Sequence, residues 1–432
     1  MSTEPETAAT SPGRADAPPV SVWRNTRFRR FWYGHSVSQF GDRITELALP
    51  LIAVVVLDAT PGEVGILTAA VWMPSLLSIV VGSWADHHLH KRRILVYADL
   101  ARALVLVTVP VAYAFDALTM PLLFAVALAS GLGQVFFNTS YPPFFVSLVQ
   151  RREYVDANAK LSISRSASFI AGPAAGGVLI QVLTAPIAVV VDAVSFLNSA
   201  WVIGRLDVVD QPVDPSAGES WRRRVAKGAR FVLGNRYLRA GLGCSTTINF
   251  FTFMSFALLV LFASRDLGLS AGVIGAVFGV GSVGGLLGAA VAPRLSRRFG
   301  VGPMVVVGAV LFPAPLALIA LAGGGHWLSA LVLAAAEFLS AFGVMVFDIN
   351  LNSIQASITP DGMRSRVAGA YTTVNYGCRP LGALLGGVLG STIGLRETFV
   401  LAAVGGALSV VFLIGSPIPE VWTVDDLQPA SA

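Results

Sequence analysis

Charge is scarce in this sequence. Asp, Glu, Lys and Arg make up 13% of its 432 residues, where soluble domains carry about a quarter. So few charges cannot coat a water-facing surface, and the mean hydropathy of +0.70 agrees. Cysteine is nearly absent: Cys244 and Cys378 both lie in apolar stretches, which excludes a disulfide framework or zinc spacing and reads as small apolar packing residues. The three lysines, Lys91, Lys160 and Lys227, fit no phosphate-cradling GxxxxGK[ST] loop, which excludes ATP hydrolysis by this chain. No HExxH occurs, and the chain does not read as a membrane enzyme. His87, His88 and His90 stand beside a basic cluster that repels cations, and neither a metal nor a cofactor is expected. The first twenty residues, MSTEPETAATSPGRADAPPV, are polar and rich in Pro and Ala. They have no short apolar core with a cleavage site and read as a disordered tail over 1–22.

What is present is apolar sequence in long runs. A helix crossing ~30 Å of hydrocarbon needs ~20 apolar residues. Such runs fall at roughly 31–57, 62–85, 94–114, 119–146, 160–182 and 186–204, then at 238–262, 270–291, 301–322, 327–350, 366–390 and 394–415. The expected fold class is therefore an all-α membrane protein of twelve transmembrane helices in two pseudo-symmetric six-helix bundles, residues 23–204 and 238–415. Between them lies a central polar loop, 205–237, and a tail follows at 416–432. Of the 30 Lys and Arg, 24 fall on the side shared by the N-terminal tail, the even-to-odd loops and the central loop. Arg265 and Arg396 fall on the other side, and Arg43, Arg102, Arg165 and Arg379 within spans. Positive residues concentrate on the cytoplasmic side. Both termini and the central loop are thus expected in the cytoplasm, and the net charge of +5 reflects topology rather than nucleic-acid binding. A weak repeat supports two halves: GSWADHHLHKRR from Gly82 and GAAVAPRLSRR from Gly288 both place basic residues after a small-residue helix end. Secondary transporters built from such repeats bind substrate between the halves.

An ionisable group in hydrocarbon costs several kcal/mol unless paired or wet, so intramembrane charges mark function. Asp42, Arg43 and Glu46 stand together in the first span. Asp42 and Glu46, four apart, share a helix face, and Asp42 lies ~18 Å beyond Arg30 along a helix. Two carboxylates on one face resist ionising together, as a proton carrier requires; the alternative is a structural Arg43–Glu46 pair. Glu337 in the tenth span and Arg379 in the eleventh sit at similar depth and are expected to pair or to line a site. Asp99 and Arg102, three apart, are expected to pair with each other. Arg165 reads as snorkelling to the interface, and Asp192 and Asp348 as helix-end or loop contacts. Phe136, Phe137, Phe250, Phe251 and Phe253 are candidates for an apolar pocket.

The loop after the second span carries Gly82, Asp86 and then Lys91, Arg92 and Arg93. With FRRFWYGHSVSQFGDRITELALPL at 28–51, YADLARA at 97–103 and ANAKLSISRSASFIAGPAAGGVL at 157–179, the chain resembles the major facilitator superfamily of secondary transporters. Within it, the chain is similar to the branch of enterobactin exporters and macrolide efflux proteins, over nearly all of residues 23–415. The resemblance implies that the Gly82–Arg93 loop latches the cytoplasmic face. It also matches Gly172, Pro173, Gly176 and Gly177 to the end of an antiporter motif, whose upstream glycines are replaced here by Arg165 and Ser168. The fourth span lacks the family's Arg, although Gly131, Gly133 and Gln134 are present. The expected function is proton-coupled export of an amphipathic small molecule, such as an antibiotic, a siderophore or another secondary metabolite. The expected protein is a monomer among the lipids of a bacterial inner membrane; 27 Arg against three Lys point to a GC-rich bacterial genome. Uptake by a symporter is the alternative.

Overall fold

The computed structural model describes residues 21–86, 90–150, 153–208, 221–360 and 363–427. The described residues form helices and no strand. In chain order the α-helices are α1 (Thr26–Leu51), α2 (Pro61–Trp72), α3 (Ser78–Asp86), α4 (Lys91–Ala114), α5 (Met120–Leu148), α6 (Tyr154–Leu183), α7 (Ala185–Gly204) and α8 (Trp221–Gly234). They continue with α9 (Arg236–Leu261), α10 (Ala271–Phe299), α11 (Val301–Leu311), α12 (Leu316–Ala320), α13 (His326–Ile358), α14 (Arg364–Thr392), α15 (Leu395–Ala407) and α16 (Val411–Ile414).

Nine of the described rods are long and apolar enough to cross a membrane: α4, α5, α6, α7, α9, α10, α11–α12, α13 and α15–α16. The other three expected spans are helical too but interrupted or polar. α1 carries Asp42, Arg43 and Glu46, α2 and α3 are separated by a 3-10 turn at Met73–Leu77, and α14 begins with Arg364 and Arg366. The apolar surface of these helices faces outward: Leu104, Val182, Leu321, Leu331 and Ile414 are each exposed by 60% or more, as a lipid-facing rod requires.

α10 and α13 run several residues beyond the expected spans, to Phe299 and Ile358. Their backbone hydrogen bonding continues after the apolar run stops, so polarity marks the membrane edge and not the helix end. The central segment 205–237 is also more than a loop. Its C-terminal part is α8, which packs on α14 and α9; Gly228 sits so close to Arg366 that a Cβ would lie 2.7 Å from its carbonyl oxygen. Residues 1–20 and 209–220 lie outside the described residues. Val22 belongs to the folded body, fully buried with its N–H on Asp156 Oδ2 at 3.0 Å. The 416–432 segment likewise folds back: Val301 and Gly302 N–H donate to the Trp422 and Val421 carbonyls at 3.1 and 2.8 Å, and Ile418 is fully buried.

A repeat of 210 residues organises the molecule. α1 and α9 begin at 26 and 236, α2 and α10 at 61 and 271, α4 and α11 at 91 and 301, α6 and α14 at 154 and 364, α7 and α15 at 185 and 395. The caps repeat as well. Asn25 and Asn235 each accept a first-turn N–H, and Thr60 and Ser270 do the same for α2 and α10. Both α1 and α9 end in a π-helical turn, Ile52–Val56 and Phe262–Asp266. The period places Ala292, not Gly288, opposite Gly82, so the loop correspondence expected from sequence is four residues out of register.

α1–α7 pack mainly with one another and α9–α16 with one another; α6 crosses to α10 and α2 to α14. At the end holding residues 52–64 and 262–274, one apolar cluster draws on both groups. At the opposite end there are two separate clusters, one around Phe28, Phe144 and Leu161 and the other around Leu238, Phe347 and Tyr371. The two groups therefore join at one end and part toward the other.

Candidate functional site

The joined end is built from glycine. A Cβ on Gly177 of α6 would lie 2.6 Å from the Ala271 carbonyl oxygen and 3.0 Å from Gly275 Cα; a Cβ on Gly65 of α2 would lie 2.7 Å from the Ala383 carbonyl oxygen and 2.9 Å from Gly387 Cα. Gly65 and Gly275 are 210 residues apart, as are Gly177 and Gly387, so the same contact is made twice. Above it Arg265 bonds Asp58 at 2.6 Å, and Gln181 Oε1 accepts the Gly272 N–H at 3.1 Å.

Beneath this seal lies a cavity of about 170 Å³ lined from α1, α2, α6, α9, α10 and α13. It brings together Arg43 and Glu46, bonded to each other at 2.5 Å, with Glu337. Phe169, Phe256 and Phe278 supply the apolar wall. The sequence-expected Phe136, Phe137, Phe250, Phe251 and Phe253 do not line it: Phe137 is buried near Phe31 and Phe144, and Phe253 packs on Trp72. Glu337 makes no hydrogen bond or ion pair with a described residue. Gly281 of α10 leaves the room its side chain fills, for a Cβ there would lie 3.0 Å from Glu337 Cβ.

The expected Glu337–Arg379 pair does not form. Arg379 Nε donates to Asn249 Oδ1 at 3.0 Å, and its guanidinium lies among the rings of Trp72, Phe253 and Tyr376 at 4.5, 4.6 and 4.2 Å. Three π faces replace a carboxylate as its company. Arg43 lies 5.1 Å from the Phe169 ring. Positions 43 and 253, and 169 and 379, are repeat equivalents, so the two halves make one cation–aromatic contact with the partners exchanged.

Gly172, Pro173, Gly176 and Gly177 lie where three helices meet. Gly172 admits the Arg43 side chain, with a Cβ there 2.6 Å from Arg43 Cβ; Gly176 faces Ile44 at 3.3 Å, and Gly177 faces α10. Pro173 has no N–H for the Phe169 carbonyl four residues back. Ser282 of α10 supplies the missing donor at 2.7 Å, so the backbone break in one half is repaired by a hydroxyl from the other.

Asp42 does not line the cavity. It accepts from Arg102 of α4, whose guanidinium stacks 3.8 Å from the Phe196 ring. The expected Asp99–Arg102 pair is therefore absent, because Arg102 reaches across to α1. Asp192 is no helix-end residue either: fully buried on α7, it accepts from Thr45 and, at 3.1 Å, from Ser195. Asp348 lies ten residues inside the end of α13. The single-sequence signal for this group was intramembrane charge, but which charges meet depends on how α1, α4 and α7 pack.

In the Gly82–Arg93 loop, Lys91 donates to the Ala85 carbonyl at the end of α3, a cation on a helix C-terminus. Arg92 donates to the Leu206 carbonyl at 2.6 Å, and Arg93 is exposed. Gly82 has room for a Cβ, 3.6 Å from Thr139. The Asp86 side chain, His87 and His88 lie outside the described residues. Among the described residues no cluster of His, Cys, Asp and Glu is arranged to hold a metal.

A family model described as a transmembrane secretion effector matches residues 17–431. The multidrug efflux pump Tap of Mycobacterium tuberculosis is 26% identical over 386 residues, 84% of this chain and 87% of that protein. Among solved structures, a bacterial homologue of the iron transporter ferroportin in its inward-facing state superposes with a TM-score of 0.70 at 17% identity, covering 91% of this chain and 99% of that one. Its outward-facing state gives 0.57, covering 90% and 98%. The nucleoside transporter NupG gives 0.69 at 14% identity, covering 90% and 98%.

Proposed function

Since the chain belongs to the transmembrane secretion effectors, a family of major facilitator transporters and not of enzymes, we propose that it is a proton-coupled exporter of amphipathic, preferentially cationic small molecules. The observation that carries this reading is the cavity between the two groups of helices, aromatic on its walls, where Arg43 is taken by Glu46 and Glu337 is paired with no cation among the described residues. An ionised carboxylate in such surroundings is costly alone, and a cationic ligand offsets that cost. Export, rather than uptake, is supported by the 26% identity to a multidrug efflux pump across most of both chains.

At about 170 Å³ the cavity is below the ~300 Å³ at which drug-sized pockets begin. Loading therefore requires the two groups to part further. In our reading residues 23–204 and 238–415 are the two moving bodies of a monomer in the bacterial inner membrane. Both termini are cytoplasmic, the parted end faces the cytoplasm, and the glycine seal closes the outside. The closer superposition on an inward-facing neighbour than on its outward-facing form supports this assignment.

The test is transport of ethidium and of an uncharged fluorescent amphiphile in proteoliposomes. Expected is ethidium movement driven by a pH gradient, which Glu337→Gln lowers about tenfold or more while the uncharged probe is affected less. Ethidium transport that persists after both the pH gradient and membrane potential are collapsed would overturn proton coupling. Equal loss for both probes would overturn charge recognition by Glu337.

A further inference from the structure

Asp99 is 1% exposed, and neither carboxylate oxygen has a hydrogen-bond partner. One turn along α4, Arg102 turns away from it to Asp42. Asp192 completes the group, within electrostatic reach of both Asp42 and Arg102. Its carboxylate lies against Gly41, where no Cβ would fit. Three carboxylates thus surround one guanidinium.

Among the described residues the neighbouring elements set no other charge against this group; His35 of α1 stacks on Phe137 and Tyr141 of α5 instead. α5 presents Gly133, where a Cβ would lie 2.5 Å from Arg102 Cγ, and contains no Asp, Glu, Lys, Arg or His. α7 has Asp192 as its sole charged residue and adds Ser195 and Ser199; the Ser199 hydroxyl is buried without a partner. On α1, Arg43 and Glu46 are paired with each other in the cavity. With all three carboxylates ionised the group would carry two uncompensated negative charges in a low-dielectric interior, at several kcal/mol each. At least one therefore holds a proton, and Asp99, which has the Ser199 hydroxyl beside it but receives no hydrogen bond and no ion pair, is the one the geometry selects.

The repeat supplies an internal control. The positions equivalent to Asp42, Asp99, Arg102 and Asp192 are Thr252, Ala309, Phe312 and Ala402. The second half packs the same helices with no charge there, so the fold does not require the first half's charges.

We propose that Asp99 is a proton-binding site, with Arg102 the arm that alternates between Asp42 and Asp99. This deepens the proton-coupled reading and rests on it. Asp42, whose side chain is 29% exposed, takes up a proton and releases Arg102. The guanidinium then swings one turn to Asp99, whose proton leaves as the ion pair forms. One O–H bond forms as another breaks, and the charge is unchanged. Asp99 lies ~12 Å from the start of α4 and Arg102 ~16 Å, so the proton advances along α4 toward its N-terminal end. The coupling proton is thereby held behind α1, outside the substrate cavity.

Infrared difference spectroscopy on the purified full chain in detergent tests the site without a ligand. A protonated-carboxyl stretching band is expected at neutral pH; in a Glu337→Gln background, which removes the cavity carboxyl, it falls in Asp99→Asn and persists in Asp99→Glu. It also weakens in Asp42→Asn, where Asp99 is intact but Arg102 is freed to pair with it. In proteoliposomes, ethidium transport driven by a pH gradient falls about ten- to a hundredfold in Asp99→Asn, the range of coupling between linked sites. A band unchanged in Asp99→Asn overturns the site, and one unchanged in Asp42→Asn overturns the switching arm. If the wild type transports ethidium without regard to the pH gradient while the band still maps to Asp99, the coupled-export reading fails and the buried proton stands.

Discussion

At the residue scale, the membrane interior rewards groups that find a partner and makes lone ones costly. Arg379 found aromatic faces, Phe169 found a foreign hydroxyl for its carbonyl, and Glu337 found nothing among the described residues. Ser282→Ala removes the donor that Pro173 makes necessary. It is expected to lower stability by about 1–2 kcal/mol, read as an earlier thermal unfolding of the detergent-solubilised protein. The same substitution in a Pro173→Ala background, which returns the helical N–H, is expected to cost less; an equal cost would show that the hydroxyl does not serve the freed carbonyl. Most charged residues of the site were legible in the sequence, since a charge in an apolar run stands out. Their pairings were not. Asp99 and Arg102 are neighbours along one helix, and helical spacing predicted their pairing, but α4 turns Arg102 toward α1.

At the element scale, glycine sets how near two helices approach. Gly65 and Gly177 each bring a backbone within reach of the opposite half, so a larger side chain at either must push the halves apart. Gly177→Leu is expected to destabilise the sealed end by about 1–3 kcal/mol through overpacking and to stop transport. Cysteine labelling near residue 58 should accelerate, because that end no longer closes. Labelling at the wild-type rate would count against the seal. The span limits came close to the helix limits wherever a loop is short. They fell short at α10 and α13, where helices continue into polar sequence, and missed α8 altogether. An amphipathic helix on the membrane edge leaves no long apolar run to detect.

At the scale of the whole molecule, two groups of helices join at one end, and the proposed alternating access requires that the other end close only as the joined end opens. Asp58 and Arg265 straddle that joined end. Replacing both with cysteine in a background lacking Cys244 and Cys378 and bridging them with a short thiol-reactive linker is expected to abolish transport. Cleavage of the linker should restore it. Transport that continues while linked would mean that this end need not open.

The membrane character, the order and approximate limits of the helices, and the residues whose charge needs an explanation all follow from local sequence. Burying a polar group in hydrocarbon is costly wherever the chain goes, so hydropathy and charge register it without knowledge of the fold. What only the packed helices decide is who meets whom. Gly177 touches Gly275, Arg102 serves Asp42 instead of Asp99, and Glu337 faces the cavity rather than Arg379. These contacts join residues far apart in the chain, and their partners are fixed by helix rotation and crossing, which periodicity within one helix does not specify.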